Sequence, residues 1–279
     1  MKLKSLLSLK IFLNLKIFLL SFFLLSPVSV FAAGFSAGIS PPKFELKAKP
    51  GEVIRDTITI LNATGKAAGY KFRTADWNIN DKQGVDFIED KLAENSCRPW
   101  VRLERKFIKI RAGSQKKYRF EIHTPEDAQI GLCKFAILVE PDEKTIAGTG
   151  EDQAIKFPVV GRYAVIVYLT IGKAKADIEY FGLGERQVNN LLLPTLKFHN
   201  KGDTYGRAFG DVTATDANGK RHVLVISSFP VLPGRTEEIL LSPDQSQTPG
   251  QKVEFSYPLQ LKGKIEMGGK TFKIDESFQ

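Results

Sequence analysis

A chain of 279 residues with 40 Lys and Arg against 31 Asp and Glu carries a formal net charge of +9. Its cations are spread along the chain, whereas nucleic-acid surfaces need them clustered, so that class is excluded. Three His and two Cys show no metal-ligand spacing, so no metal site is readable.

Lys2, Lys4, Lys10 and Lys16 precede an apolar run from Ile17 to Leu25; Pro27 follows, and Val30-Phe31-Ala32 has the small-x-small form of a cleavage site. Residues 1–32 are therefore expected to leave as a signal peptide, with the cut after Ala32, sending a chain of net charge +5 to the periplasm. The apolar run is short for a spanning helix, and nothing later approaches ~20 consecutive apolar residues; an uncleaved anchor is the alternative. Export meets an oxidising compartment, where the even pair Cys97 and Cys133 is expected to form a disulfide, with two buried free thiols as the alternative.

Ile39 to Pro50 opens the folded part, and Pro41-Pro42 confines it to an edge strand, because proline cannot donate to a ladder. In Val53–Asn62, Ile54, Ile58 and Ile60 share a face, and Asn62-Ala63-Thr64-Gly65 reads as a turn rather than a glycosylation site. Short strands are expected around Tyr70–Arg73, Trp100-Val101 and Phe107–Ile110. In Lys117–His123, Tyr118, Phe120 and Ile122 point inward; Cys133, Phe135, Ile137 and Val139 share a face of the next strand. No segment of 12 or more residues beyond the leader has a clear 3.6 period. Many short alternating strands between frequent turns indicate an all-β sandwich or barrel.

The stretch Ala154 to Gly172, AIKFPVVGRYAVIVYLTIG, organises the rest. Ile155, Phe157 and Val159 alternate in its first part, while Tyr163 to Ile171 is nearly continuous in apolar residues, the mark of a strand buried on both faces. It reads as one long strand that changes environment near Gly161-Arg162. Gly172 to Ala176 reads as a linker, which divides the chain into 33–172 and 173–279. The second half echoes the first: Thr59–Asn62 with Gly65 resembles Leu196–Asn200 with Gly202, and Phe107–Gly113 resembles Phe229–Gly234. Two related sandwich domains follow, and Asp216-Ala217-Asn218-Gly219 is a hairpin turn of the second.

Gly34-Phe35-Ser36-Ala37-Gly38 matches the nucleophile-elbow pattern but lacks the strand before it and the helix after it. With no phosphate-binding loop either, the chain does not read as an enzyme, and no cofactor is expected. Ile155, Phe157 and Val159 either fill the first core or stay accessible along a sheet edge, where alternate apolar residues complete another protein's sheet. Arg162 at the end of that edge suits a carboxylate, since a guanidinium gives two parallel hydrogen bonds; Lys43 on the first edge strand supplies a second cation.

With Ser40-Pro41-Pro42-Lys43, the strand-turn Ile58–Asn62, the Thr124-Pro125…Gly131 strand entry and the alternating strand ending in Gly161-Arg162-Tyr163, the sequence resembles the periplasmic pilus-assembly chaperones, the PapD-like family. The resemblance implies two immunoglobulin-like β-sandwich domains in tandem and a pilus or surface-protein subunit as client. It implies that Lys43 and Arg162 anchor the client's C-terminal carboxylate, and that Ile155, Phe157 and Val159 form the donor strand. Lys43 stands where the family usually has Arg, and Pro158 interrupts the donor strand. The alternative reading, of another class, is a structural or adhesion module of the cell envelope with the same fold and no chaperone activity.

Overall fold

Alternation with a period of two makes strands, and turns of Gly, Pro, Asn and Asp cut them short. The computed structural model describes residues 37–142, 145–147, 157–159, 161–246, 250 and 253–279; the expected leader lies outside them. Two compact units divide the chain, Ser36–Glu143 with Gly161–Gln279, and Met1–Phe35 with Lys144–Val160. In the first unit the strands before Gly172 are β1 (Ala37–Ser40), β2 (Lys43–Ala48), β3 (Val53–Asn62), β4 (Ala68–Ile79), β5 (Val85–Ile88), β6 (Val101–Leu103), β7 (Phe107–Ile110), β8 (Gln115–His123) and β9 (Gly131–Pro141). The second unit contributes a hairpin of β10 (Thr145–Ala147) and β11 (Phe157–Val159), and β12 (Tyr163–Ile171) returns to the first.

One sheet has the order β1-β3-β8-β6, the other β2-β12-β9-β4-β5 with β7 added to β4. In immunoglobulin letters these are A-B-E-D and A′-G-F-C-C′. Pro41 and Pro42 mark where the first strand changes sheet: β1 pairs antiparallel with β3, and β2 pairs parallel with β12. Phe44 meets Phe120 edge-on with centroids 5.1 Å apart, and Phe72 stacks on Tyr118 at 3.7 Å, so aromatic rings from both sheets make the core. Tyr118, Phe120 and Ile122 are buried, as alternation predicted.

Two expectations change on folding. In β9, Cys133, Phe135, Ile137 and Val139 are buried as expected, but so are Ala136 and Leu138 on the opposite face. Trp77 and Tyr168 cover that face together with Tyr205, Phe229 and Leu232 from the second half of the chain. The stretch Ala154–Gly172 is two strands rather than one. β11 pairs with β10, whereas β12 pairs with β9 and starts at Tyr163 opposite Val139. Its partner β9 ends at Pro141, so little ladder remains for a longer strand. Ile155 lies outside the described residues.

The remaining strands are β13 (Ile178–Val188), β14 (Leu191–Asn200), β15 (Gly206–Arg207), β16 (Phe209–Thr215), β17 (Arg221–Ile226), β18 (Pro230–Val231), β19 (Thr236–Pro243), β20 (Leu259–Met267) and β21 (Lys270–Phe278). Seven of them run in the order β13-β14-β19-β17-β16-β20-β21. β19 serves two partners, with Thr236–Leu240 on β14 and Leu241–Pro243 on β17. The sheet thereby folds over a core in which Phe198, Leu196 and Ile239 meet Leu224, Leu261 and Ile274. This is a second sandwich, with A-B-E facing C′-C-F-G. The predicted hairpin turn joins β16 to β17, with Gly219 at φ 77° and the Asp216 carboxylate accepting from the Asn218 and Lys220 amides.

The internal echo is structural. Asn62 closes β3 and Asn200 closes β14, both fully buried. Asn62 Nδ2 donates to the carbonyls of Lys66, Ile110 and Arg111, and Asn200 Nδ2 donates to those of Thr204 and Val231. Each braces the turn after a matched strand, at Gly113 (φ 63°) in one sandwich and Gly234 (φ 71°) in the other. Asn62 is thus a brace and not a glycosylation acceptor. Asn62→Ala and Asn200→Ala are each expected to lose about 2–3 kcal/mol, because buried carbonyls are left without a donor. Urea unfolding of the two variants checks this; a loss below ~0.5 kcal/mol would refute the brace.

Candidate functional site

The edge of β12 is where the first sandwich stops covering itself. β9 pairs with all of β12, from Tyr163 to Ile171, while β2 pairs only from Ile166 onward. Among the described residues no strand pairs with Ala164 and Val165 on the side away from β9. The gap ends abruptly, because the Ile166 amide donates to Pro42 O (3.1 Å) and Lys43 stands opposite Ile166. A strand added along this edge must stop at Lys43.

Two residues along β2 from Lys43, and on the same face, Glu45 sits opposite Tyr168. Glu45 Oε1 accepts from Lys43 Nζ (2.9 Å) and from Arg207 Nε (2.6 Å). Arg207 comes from β15 of the second sandwich, its side chain only 9% exposed. Its guanidinium lies 5.0 Å from the Tyr168 ring and 5.5 Å from the Tyr205 ring, and also donates to Ser228 O. Burial raises the Glu45 pKa, but the Lys43 hydrogen bond and the Arg207 and Lys43 charges outweigh it and hold the carboxyl below its usual range. The Tyr205 hydroxyl is pushed up to about 12, first by burial and then by the Glu45 charge. Thr170 and Thr204 hydroxyls, 2.8 Å apart, continue the contact between sandwiches.

Arg162 lies elsewhere. Its Nη1 donates to Glu89 Oε1 (2.5 Å) and approaches Glu140 (3.7 Å), and its guanidinium sits 5.6 Å from the Phe87 ring. Arg73 meets the same two carboxylates, which closes a four-residue network over β4, β9 and the end of β5. Arg162 precedes Ile166 by four residues, roughly 13 Å of strand at about 3.3 Å per residue. The two cations expected to act together are therefore not brought together: Lys43 turns to Glu45, and Arg162 to Glu89. Phe157 and Val159 stand in β11, opposite Ala147 and Thr145.

Cys97 and Cys133 are joined, with Cα atoms 5.7 Å apart, which settles that expectation in favour of the disulfide. Among the described residues no group of three or more His, Cys, Asp or Glu could hold a metal, and no helix is long and apolar enough to cross a membrane. Sequence reasoning missed Glu45, Arg207, Tyr168 and Tyr205. Glu45 was visible as an outward neighbour of Lys43, but nothing along the chain links it to a residue 162 positions away.

No family model matches the chain, and no curated protein does. Among solved structures, it is similar to a chaperone–tip adhesin complex of CFA/I fimbriae biogenesis (TM-score 0.45, 11% identity, 81% of this chain and 98% of that one). It is also similar to the E. coli chaperone DraB (0.42, 12%, 87% and 99%) and to a Salmonella enterica complex of SafA pilin with the SafB chaperone (0.43, 12%, 88% and 99%). Each is a chaperone or a complex that contains one. At these scores the likeness assigns no function.

Proposed function

We propose that the chain is an exported chaperone that binds pilus or surface-protein subunits in the periplasm by strand addition, with 33–172 and 173–279 as its two domains. The observation that carries this reading is the edge of β12, uncovered at Ala164 and Val165 among the described residues and closed at Lys43. An added strand gains backbone hydrogen bonds there, and a free C-terminus suits the place where the edge stops, because Lys43 is 45% exposed beside it. Ile155, Phe157 and Val159 supply the alternating apolar side chains that a client's incomplete sheet lacks. Lys43 and Arg162 are the candidate cations for the terminal carboxylate, Lys43 at the end of the edge and Arg162 upstream of it.

A pull-down from the exported fraction with the mature chain tests this. Wild type should retain a small β-rich partner in stoichiometric amount, and Lys43→Ala and Arg162→Ala should lose it. If wild type retains nothing, or both variants hold the partner as well as wild type does, the chaperone reading fails and a structural or adhesion module replaces it.

A further inference from the structure

The cluster at Glu45 has a composition that strand addition alone does not require. One carboxylate oxygen takes hydrogen bonds from a lysine on β2 and an arginine on β15, at 2.9 and 2.6 Å. The arginine is held in place by two tyrosine rings and the Ser228 carbonyl. Two cations converging on one carboxylate, one of them pre-oriented by stacking, are what a carboxylate-binding seat is made of. Here the seat already holds a carboxylate belonging to the chain.

We propose that Lys43 and Arg207 form a carboxylate seat and that Glu45 is its resident occupant, which an incoming peptide's terminal carboxylate must displace from Lys43. The inference rests on the strand-addition reading. It differs from that reading in the second cation, which comes from the second sandwich, and in making Glu45 an intramolecular competitor. Geometry favours Lys43 as the group that changes partner. It is the more exposed of the two cations, it stands where the edge ends, and its flexible stem reorients easily. Arg207, nearly buried between Tyr168 and Tyr205, stays fixed and keeps the resident carboxylate in reach. The competition sets a threshold: a strand that ends in an amide or continues as chain has nothing to offer Lys43 in exchange for Glu45. A free C-terminus does.

The test uses the mature full chain and a synthetic nine-residue peptide of alternating valine and threonine, made once with a free C-terminal carboxylate and once as the amide. Affinities are measured by calorimetry for wild type, Glu45→Gln and Lys43→Gln, with thermal unfolding of each variant to show that it folds. The expected result is a carboxylate-over-amide preference that grows about tenfold in Glu45→Gln, the scale of one charge-assisted hydrogen bond released from competition, and disappears in Lys43→Gln. An unchanged or smaller preference in folded Glu45→Gln overturns the resident-carboxylate proposal while leaving strand addition standing. Failure of wild type and both variants to bind either peptide overturns strand addition and this proposal together.

Discussion

Replacing Cys97 and Cys133 together by serine is expected to cost about 3–4 kcal/mol of stability, the loop-entropy value for a closure of this length. The bond spans 36 positions and ties the segment before β6 to the start of β9, the central strand of its sheet. Both sulfurs are buried, so two hydroxyls placed there would also lack solvent. The loop ends have a second fastening beside the bond: the Lys134 amide donates to Asn95 O at 3.4 Å, and Ser96 and Lys134 form an isolated parallel bridge. Urea unfolding of the double variant should therefore show a lower midpoint, and wild type in excess reductant should reproduce it. A loss under ~1 kcal/mol would mean that the Asn95 and Ser96 contacts with Lys134 close the loop without help.

Trp77→Ala is expected to lose about 3–5 kcal/mol, the range for removing a fully buried indole. Trp77 has no exposure, and its Nε1–H donates to Phe135 O at 2.9 Å. Its ring meets Tyr168 edge-on at 5.0 Å, with the Lys134 ammonium 4.8 Å from its centroid. It also belongs to the cluster in which Tyr205, Phe229 and Leu232 of the second sandwich cover the first. The variant should thus lose coupling as well as stability, and unfold in two separated steps by circular dichroism where wild type unfolds in one. Trp77→Phe keeps most of the apolar volume and should lose less, mainly the hydrogen bond to Phe135. A single unchanged transition in Trp77→Ala would show that the indole matters only inside the first sandwich.

The strands of this protein were readable because each needs only local information. A half-buried strand must alternate, and Tyr118, Phe120 and Ile122 do. A strand covered on both faces must not, and β12 from Val165 to Ile171 is buried almost throughout. The paired asparagines were legible as turns for a related reason, since the glycine two or three residues later marks the same bend in both halves. The cover on the outer face of β9 was not legible, because Ala136 and Leu138 look the same whether they meet water or Leu232.

The candidate site divides along the same line. Sequence alone determined an all-β chain, its strand faces, its repeated strand-turns, the two cysteines available for a bond and the cations at Lys43 and Arg162. Tertiary structure decided which charges meet. It turned Arg162 to Glu89 and Glu140, and brought Arg207 across 162 positions to the carboxylate beside Lys43. The physical reason is range: alternation and turn formation act over a few residues of one chain, whereas an ion pair depends on distance in space, which only the packed sheets set.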